Sequence, residues 1–286
     1  GAHASVMTRQ RDENALIESF QKVKPRRIML SSMIMKRVFN NLSRRFDQSR
    51  TGRCLRRLPG SHILRRHFMG RYVDRMLGGE CEELFIGSEM LGSQLSRKMK
   101  DAGMRFTVVY GLTECGGLVS YVPHSGYIPG TAGRSISNIL RCRIRPMDFD
   151  GLPDGIGELE VRGMTLMKGY ADNTSDPRSH LTSDGWFPTG DIASINHAGD
   201  ITVIGRLATL IKLDRGCVVP ERIQSVFMEY QYVRHSVVVE DEGRLKAIIQ
   251  PDIDAINLDY PGGTIDPGDV IRSVVGEVNR LVSSRE

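Results

Sequence analysis

In the first 110 residues, segments with apolar residues at helical spacing alternate with short apolar runs. The former predict helices and the latter predict strands. Ala15, Leu16 and Phe20 lie on one apolar face of a helix predicted over residues 12–22. Similar patterns predict helices at 33–46, 62–77 and 93–102, and strands at 27–30, 83–86 and 105–110. The polar segment 47–60, rich in arginine and glycine, is predicted to be a loop. This alternation indicates an α/β fold with a largely parallel, helix-covered sheet.

The pattern changes after residue 110, where Gly, Pro and Asp become frequent and apolar runs shorten. Strands are predicted at 140–145, 158–162, 191–196 and 201–204, which is typical of a β-rich subdomain. A compact α+β unit is predicted from residue 206, with strands at 210–213, 236–240 and 245–250, a helix after Pro220, a loop over 252–269 and a final helix from 270 to about 281. The chain is therefore expected to divide into residues 1–110, part of a large α/β domain, 111–205, a β-rich subdomain, and 206–286, a small carboxyl-terminal domain.

Composition is ordinary, but charge is unevenly distributed along the chain. Hydrophobic residues make up 40% and charged residues 26%, as in typical globular proteins. Residues 1–107 carry 22 Lys and Arg against 10 Asp and Glu, whereas residues 108–286 carry 17 against 24. The basic part is interpreted first as solvated helix faces and second as a patch facing a membrane or CoA. A nucleic-acid surface is disfavoured, because no aromatic residues are interleaved with the arginine pairs.

Cysteine usage and hydropathy both favour the cytoplasm. The five cysteines are scattered without metal-ligand spacing, which is typical of reduced thiols in a cytosolic protein. The longest apolar runs are the length of a strand, far below the roughly 18–20 residues that cross a bilayer, and the first residues show no secretory pattern. The expected location is the cytoplasm, with peripheral membrane contact through basic residues 1–107 as a further option.

The predicted strand 105–110 runs directly into a polar turn flanked by glycines. Open α/β sheets bind their ligands beyond the carboxyl ends of such strands. Tyr110 offers a ring that could stack on a base, and Gly111 lets the backbone approach a phosphate closely. Thr113 supplies a hydroxyl, and Glu114 supplies an oxygen ligand suited to Mg²⁺. From the residues alone, this turn is a candidate phosphate site, and a plain turn is the alternative.

Two further polar clusters follow along the chain. Asp191 ends the segment Gly185–Asp191, where a Thr-Gly-Asp at a strand start could direct a carboxylate at a vicinal diol; an ordinary turn is the alternative. The second cluster is Arg206, followed along the chain by Lys212. A lone arginine before a strand is usually just exposed. Cys115 is expected to pack rather than to act as a nucleophile, because no neighbouring base or cation lowers its pKa.

Taken in order, these clusters resemble the adenylate-forming superfamily of acyl-CoA synthetases, adenylation domains and luciferases. Four segments match in order: Gly87–Leu91, Tyr110–Glu114, Trp186–Asp191, and Gly205-Arg206 with Ile211-Lys212. The match extends through Gly163–Tyr170 and Val219–Ile223. Each motif by itself is moderately specific, and several in the family's order identify the chain as a member. The resemblance covers about residues 80–250 well and residues 1–80 loosely.

The resemblance implies an adenine pocket built from two segments. Gly87, Ser88 and Glu89 would line this pocket through their backbone groups. Tyr110 would stack on the adenine ring, with Gly111 beside the nucleotide. ATP, AMP as part of the intermediate, Mg²⁺ and CoA are the implied ligands.

The same resemblance implies roles for the phosphate, the ribose and the moving domain. Thr113 would hydrogen-bond the α-phosphate, and Glu114 would hold Mg²⁺. Asp191 would bind the ribose hydroxyls, assisted by Arg206 at the ribose and phosphates. Lys212 would sit on the mobile carboxyl-terminal domain, which in this family rotates between adenylation and thioester formation.

Within the superfamily, the chain looks most like bacterial long-chain fatty acyl-CoA synthetases. This likeness rests on segments 211–221 and 232–240 and on the long basic helical stretch 32–78. It implies that a fatty acid is activated as an acyl-adenylate and transferred to CoA. An aryl-acid- or amino-acid-activating domain is the alternative.

Several departures from the family pattern favour a fragment. No Ser/Thr/Gly-rich loop ending in Pro-Lys, which holds the β- and γ-phosphates in the family, occurs in the 286 residues. The chain stops at Glu286, before the family's terminal lysine is expected, and its first residues resemble the middle of the large domain. Ala208 replaces the usual charged hinge residue. We therefore expect a fragment without appreciable ligase activity, and an inactive adenylate-binding or interaction protein is the alternative.

Overall fold

The computed structural model describes residues 13–58, 60–88, 91–136, 138–147, 152–171, 180–213 and 216–283 of the chain. It divides into two compact units, one within Gly1–Val109 and Val122–Pro129 and the other within Tyr110–Tyr121 and Gly130–Glu286. Helices and sheet strands alternate in the first unit, so the predicted α/β class is confirmed. The division into three segments that the sequence predicts stays a prediction.

The first unit is a parallel sheet with helices between its strands. Its elements are α1 Glu13–Val23, β1 Arg27–Ser31, α2 Ser32–Gln48, α3 Arg50–Arg57, α4 His62–Met76, β2 Glu83–Gly87, α5 Ser93–Asp101 and β3 Phe106–Tyr110. Strand β2 pairs in parallel with β1 on one side and β3 on the other. The core lies between sheet and helices and includes Met35, Leu42, Ile86 and Phe106. No helix within the described residues has the length and apolarity that a membrane span requires.

Helix α3 corrects the prediction of a loop over residues 47–60. Ser49 begins this helix, because its hydroxyl accepts a hydrogen bond from the Gly52 N–H at 3.1 Å. Leu55 is buried in the core of the unit. A Cβ on Gly52 would lie 2.0 Å from the carbonyl oxygen of Phe46, so glycine allows α3 to pack closely on α2. The glycine and arginines that suggested a loop lie within a short helix, which is stabilised by tertiary packing.

The second unit begins with antiparallel strands. They are β4 Ser120–Pro123, β5 Gly133–Ser135, β6 Leu140–Pro146, β7 Gly157–Gly163, β8 Phe187–Ile195 and β9 Asp200–Arg206, in the spatial order β4-β5-β9-β8-β7-β6. Leu140, Leu159, Val161 and Ile201 form the centre of the core. The predicted β-rich character of this segment is confirmed, although β8 begins at Phe187 rather than at residue 191.

The carboxyl-terminal part of the second unit mixes helices with two hairpins. Its elements are β10 Ile211–Leu213, β11 Gly216–Val218, α6 Pro220–Glu229, β12 Val233–Asp241, β13 Arg244–Pro251, α7 Ile253–Asp259 and α8 Pro267–Ser283. Strands β10–β11 and β12–β13 are antiparallel pairs. Helix α7 lies in the segment predicted to be a loop. The Asp252 side chain caps it by accepting from the Ala255 N–H at 3.0 Å, and Ala255 and Ile256 are buried.

Candidate functional site

Asp191 is positioned by an irregularity in strand β8. Gly190 has a φ of +71°, which favours glycine, and the β7–β8 register shifts at this point. The Thr189 hydroxyl donates to the Leu159 carbonyl at 2.8 Å and accepts from the Asp191 N–H at 3.1 Å. The Gly190 N–H donates to a carboxylate oxygen of Glu158 at 3.2 Å. The sequence singled out the Thr-Gly-Asp, but it did not reveal the contact between Gly190 and Glu158, which the strand register decides.

Three of the predicted nucleotide-binding residues meet at this carboxylate. The Tyr110 hydroxyl donates to Oδ2 of Asp191 at 2.5 Å, and Nε of Arg206 lies 2.8 Å from Oδ1. Asp191 and Arg206 are directly opposite each other on β8 and β9, so their side chains leave the sheet on one face. Arg206 is therefore an ion-paired residue, although 54% of its side chain is exposed. Arg206 is exposed, as a lone arginine usually is, but it also has this ion-pair partner.

Burial controls the electrostatics of this cluster. Asp191 is only 3% exposed, and this burial raises the pKa of its carboxyl group. The Tyr110 hydrogen bond and the Arg206 charge lower that pKa, while the nearby carboxylates of Glu158 and Glu221 raise it further. Burial, followed by the Asp191 charge, also raises the pKa of Tyr110, so its phenol keeps its proton and stays a donor. Since each carboxylate oxygen has a second lone pair, Asp191 can accept from additional hydroxyls.

The turn after β3 is held closed by its own backbone. The Val119 N–H donates to the Tyr110 carbonyl at 2.8 Å, and the Gly117 N–H donates to the Leu112 carbonyl at 2.9 Å. Between them lies a 3₁₀ turn, Thr113–Cys115, in which the Thr113 side chain is exposed. A Cβ on Gly111 would lie only 2.0 Å from the Gly117 carbonyl oxygen. Gly111 lacks a side chain because the Gly117 backbone packs closely against it in this loop. The predicted approach of a phosphate to the Gly111 backbone stays a prediction.

Glu114 has one hydrogen-bonded carboxylate oxygen. The Tyr170 hydroxyl donates to its Oε1 at 3.0 Å, and its second oxygen has no hydrogen-bond partner among the described residues. The described residues contain no group of three His, Cys, Asp or Glu that could hold a metal. A single carboxylate still fits Mg²⁺ in a nucleotide site, because this ion keeps waters and substrate phosphates as its other ligands. Sequence reasoning missed Tyr170, although the matching segment 163–170 ends on it.

Cys115 lies next to Glu114 and is fully buried in the core of the second unit. Burial raises the pKa of its thiol to about 12, so the thiolate is scarce at neutral pH. The expected packing role is confirmed.

The first predicted adenine segment belongs to the first unit. Gly87 ends strand β2, and a Cβ there would lie 2.9 Å from a methyl group of Val109 on β3. Ser88 follows with a φ of +72°, a left-handed conformation that costs energy for a residue with a side chain. Such strain often accompanies function, which fits the predicted role of the segment. Glu89 lies outside the described residues.

The segment after Arg206 is tied to helix α6 by a contact that the sequence did not reveal. The Thr209 hydroxyl bonds a carboxylate oxygen of Glu221 and lies 2.9 Å from the Arg206 carbonyl. The second carboxylate oxygen of Glu221 is buried without a hydrogen-bond partner among the described residues. Ala208 lies inside this short 3₁₀ turn. Lys212 lies beyond it on β10, exposed and opposite Cys217 in register.

Comparison with known proteins finds one matching family model and several relatives. The model of a family described as AMP-binding enzyme matches residues 1–171. The chain is 27% identical to long chain acyl-CoA synthetase 1 of Arabidopsis thaliana over 87% of its length and 37% of that protein's. It is 30% identical to a long-chain-fatty-acid–CoA ligase of Mycobacterium bovis over 64% of its length and 29% of that protein's. The chain thus spans about a third of the length of these relatives.

Solved structures share the fold at lower identity. The adenylation domain of a carboxylic acid reductase from Segniliparus rugosus, in complex with AMP, superposes with a TM-score of 0.69 at 16% identity. That match covers 94% of this chain and 42% of the other. ATP-bound MatB from Rhodopseudomonas palustris gives a TM-score of 0.62 at 22% identity, covering 89% of this chain and 44% of the other.

Proposed function

Because the chain belongs to the AMP-binding enzyme family, we propose that it forms part of an ATP-dependent acyl-CoA ligase. In this proposal, a carboxylate oxygen attacks the α-phosphorus of ATP and pyrophosphate leaves. The thiol of CoA then attacks the acyl carbon of the acyl-adenylate, and AMP leaves as the thioester forms. The observation that carries the proposal is the meeting of Tyr110, Asp191 and Arg206 at one buried carboxylate.

This cluster supports nucleotide binding for a simple chemical reason. A ribose carries two neighbouring hydroxyls, and Asp191 has lone pairs for both. Arg206 is a fixed cation beside this carboxylate, suited to the negative charge of the phosphates. Adenylate formation depends on positioning and on charge stabilisation at phosphorus, more than on covalent work by the protein. Thr113 and Glu114, on the turn after β3, are proposed to face the α-phosphate and Mg²⁺ respectively.

The test is nucleotide binding by the chain, measured by isothermal titration calorimetry with ATP and AMP. Asp191→Asn should weaken binding about tenfold to a hundredfold, because hydrogen bonds to a charged group are lost. The matched control is Asp154→Asn, which removes an exposed carboxylate from a turn of the same unit. Equal affinity of Asp191→Asn and wild type, with both folded by circular dichroism, would contradict the proposal.

The magnesium role of Glu114 is tested separately in the complete protein. Glu114→Gln keeps the hydrogen bond from Tyr170 possible and removes the charge. We expect adenylate formation to require a higher Mg²⁺ concentration in this variant. Unchanged rates at limiting Mg²⁺ would show that the ion is held elsewhere.

The acid is proposed to be a long-chain fatty acid, since relatives carry this name. An aryl acid is the second candidate, because the chain is also 30% identical to a protein named 4-coumarate–CoA ligase-like 4 from Oryza sativa over 56% of its length. A carboxylic-acid panel with the complete protein, scored by acid-dependent pyrophosphate release with and without CoA, separates these substrates and identifies the acceptor. A cytoplasmic location with peripheral membrane contact is the proposed setting.

A further inference from the structure

The two ends of helix α4 differ in their surroundings. From Met69 onward the helix is anchored, because Met69 and Val73 are buried and a Cβ on Gly70 would lie 2.5 Å from the Ala102 carbonyl oxygen. The seven residues from His62 to Phe68 are all exposed. The first two turns of α4 therefore project from the first unit.

These projecting turns carry large apolar side chains into solvent. Ile63 is 68% exposed, Leu64 52% and Phe68 41%. With about 100° between successive residues, these three side chains fall within an arc of about 140° on the helix. That arc lies opposite the buried Met69 and Val73, so the apolar face points away from the protein. Clustered exposed apolar residues of this kind mark interaction surfaces.

The same segment is strongly basic. Residues 50–71 contain seven arginines and no Asp or Glu. Arg56 and Arg65 both pair with Asp47, which lies just before this segment. Arg53, Arg57 and Arg66 have no acidic partner among the described residues. Leu58, at the end of α3, is a further large apolar residue that is half exposed.

We propose that the apolar face Ile63–Phe68, with the arginines of α3 and α4, docks on the surface of an anionic lipid bilayer. An interfacial helix buries its apolar face at the level of the headgroups while flanking cations bind the lipid phosphates. This arrangement requires both features found here. A nucleic-acid surface would use the arginines but would leave Ile63 and Leu64 without a role. The docking surface involves none of the residues proposed to bind nucleotide, so it stands or falls independently of the proposed activity.

The test is co-sedimentation of the 286-residue chain with vesicles. Wild type should bind vesicles of equimolar phosphatidylcholine and phosphatidylserine. Its affinity for vesicles of pure phosphatidylcholine should be lower by about tenfold or more. Ile63→Gln with Phe68→Gln should lower binding about tenfold while keeping the charge and helix propensity. Arg53→Gln with Arg57→Gln and Arg66→Gln should give a similar loss and remove most of the salt dependence.

Controls change other exposed apolar residues and another exposed arginine. Ile128→Gln with Met164→Gln removes two exposed apolar side chains, and Arg244→Gln removes an exposed arginine; both should bind like wild type. The proposal is overturned if wild type binds neutral and anionic vesicles equally, or if the α4 and arginine variants bind like wild type. The proposal is also overturned by a competition experiment with vesicle-bound chain, if an oligonucleotide releases the chain at a lower concentration than added phosphatidylserine vesicles do. A wild-type dimer in sedimentation velocity that dissociates in the Ile63/Phe68 variant would instead assign the face to a second copy.

Discussion

Asp191 shows how much a single residue depends on its partners. Its carboxylate is buried, and burial alone would favour the protonated form. Tyr110 and Arg206 each bond one of its oxygens, which stabilises the charged form and fixes the direction of the group. A ligand that bonds Asp191 therefore meets a preorganised acceptor rather than a mobile surface carboxylate.

Tyr110→Phe tests this arrangement at the level of one atom. The substitution keeps the ring for stacking but leaves Oδ2 of Asp191 without its donor. We expect the free energy of unfolding to fall by about 1–3 kcal/mol, the cost of an unsatisfied buried acceptor, and nucleotide affinity to fall with it. Urea unfolding and calorimetry measure the two effects. Tyr121→Phe, an exposed tyrosine on β4, should change neither, and a similar loss in both variants would contradict the explanation.

At the scale of elements, the turn after β3 depends on one close approach. Gly111→Ala would place a methyl group 2.0 Å from the Gly117 carbonyl oxygen, which is backbone and cannot rotate away. We expect a loss of stability of about 1–3 kcal/mol and weaker nucleotide binding, because Thr113 and Glu114 sit on the displaced loop. Thermal unfolding and calorimetry provide the measurements. Gly126→Ala meets only a methyl group of Val122 at 3.9 Å, so it should be neutral.

A second element-scale feature is the charge ladder between β6 and β7. Arg143 and Arg145 on β6 lie opposite Glu160 and Glu158 on β7, whose side chains are almost fully buried. Arg143 also bonds Asp184 at 2.6 and 3.1 Å. Since Glu158 in turn receives the Gly190 N–H, the ladder supports the irregularity that directs Asp191.

The ladder predicts a pH dependence of stability. The hydrogen bonds from Arg143, followed by that from Thr182, lower the pKa of Asp184 from 3.8 to about 2. A carboxyl group whose pKa is lower in the folded than in the unfolded chain stabilises the fold at pH values above its unfolded pKa. This contribution to stability is lost as pH falls from about 4 toward 2. Asp184→Asn should therefore lower the urea midpoint at pH 6, and the difference from wild type should shrink as the solution is acidified. Asp154→Asn, in an exposed turn, should show no such pH dependence.

At the scale of the whole molecule, the 286 residues contain the ribose side of the proposed site but no phosphate-binding loop of the family type. We therefore expect the purified chain to bind ATP without appreciable turnover, because charge on the leaving pyrophosphate would lack its donors. A coupled pyrophosphate assay with ATP, Mg²⁺, a fatty acid and CoA measures this. Robust acid-dependent release by the chain alone would contradict the expectation, and the complete protein serves as the positive control.

The sequence predicted the long elements well and the short ones poorly. Helices α2 and α4 and strand β3 carry enough periodic apolar residues to identify themselves. Helices α3 and α7 are short, and each is stabilised by a cap and by a few residues that become buried only against other elements. Local composition cannot reveal that burial, so both segments read as loops.

The chain's own residues determined its class and its family, because motif spacing and hydrophobic period are properties of the sequence; which side chains carry chemistry stays a prediction. Tertiary structure decided what those side chains contact. Strand register brought Arg206 opposite Asp191, and the fold placed the Tyr110 hydroxyl on the same carboxylate, 81 positions away in sequence. It also left Ile63, Leu64 and Phe68 of α4 exposed to solvent, whereas the sequence predicted only that this segment is a helix. Contacts between distant segments depend on how elements pack, and no local pattern specifies that packing.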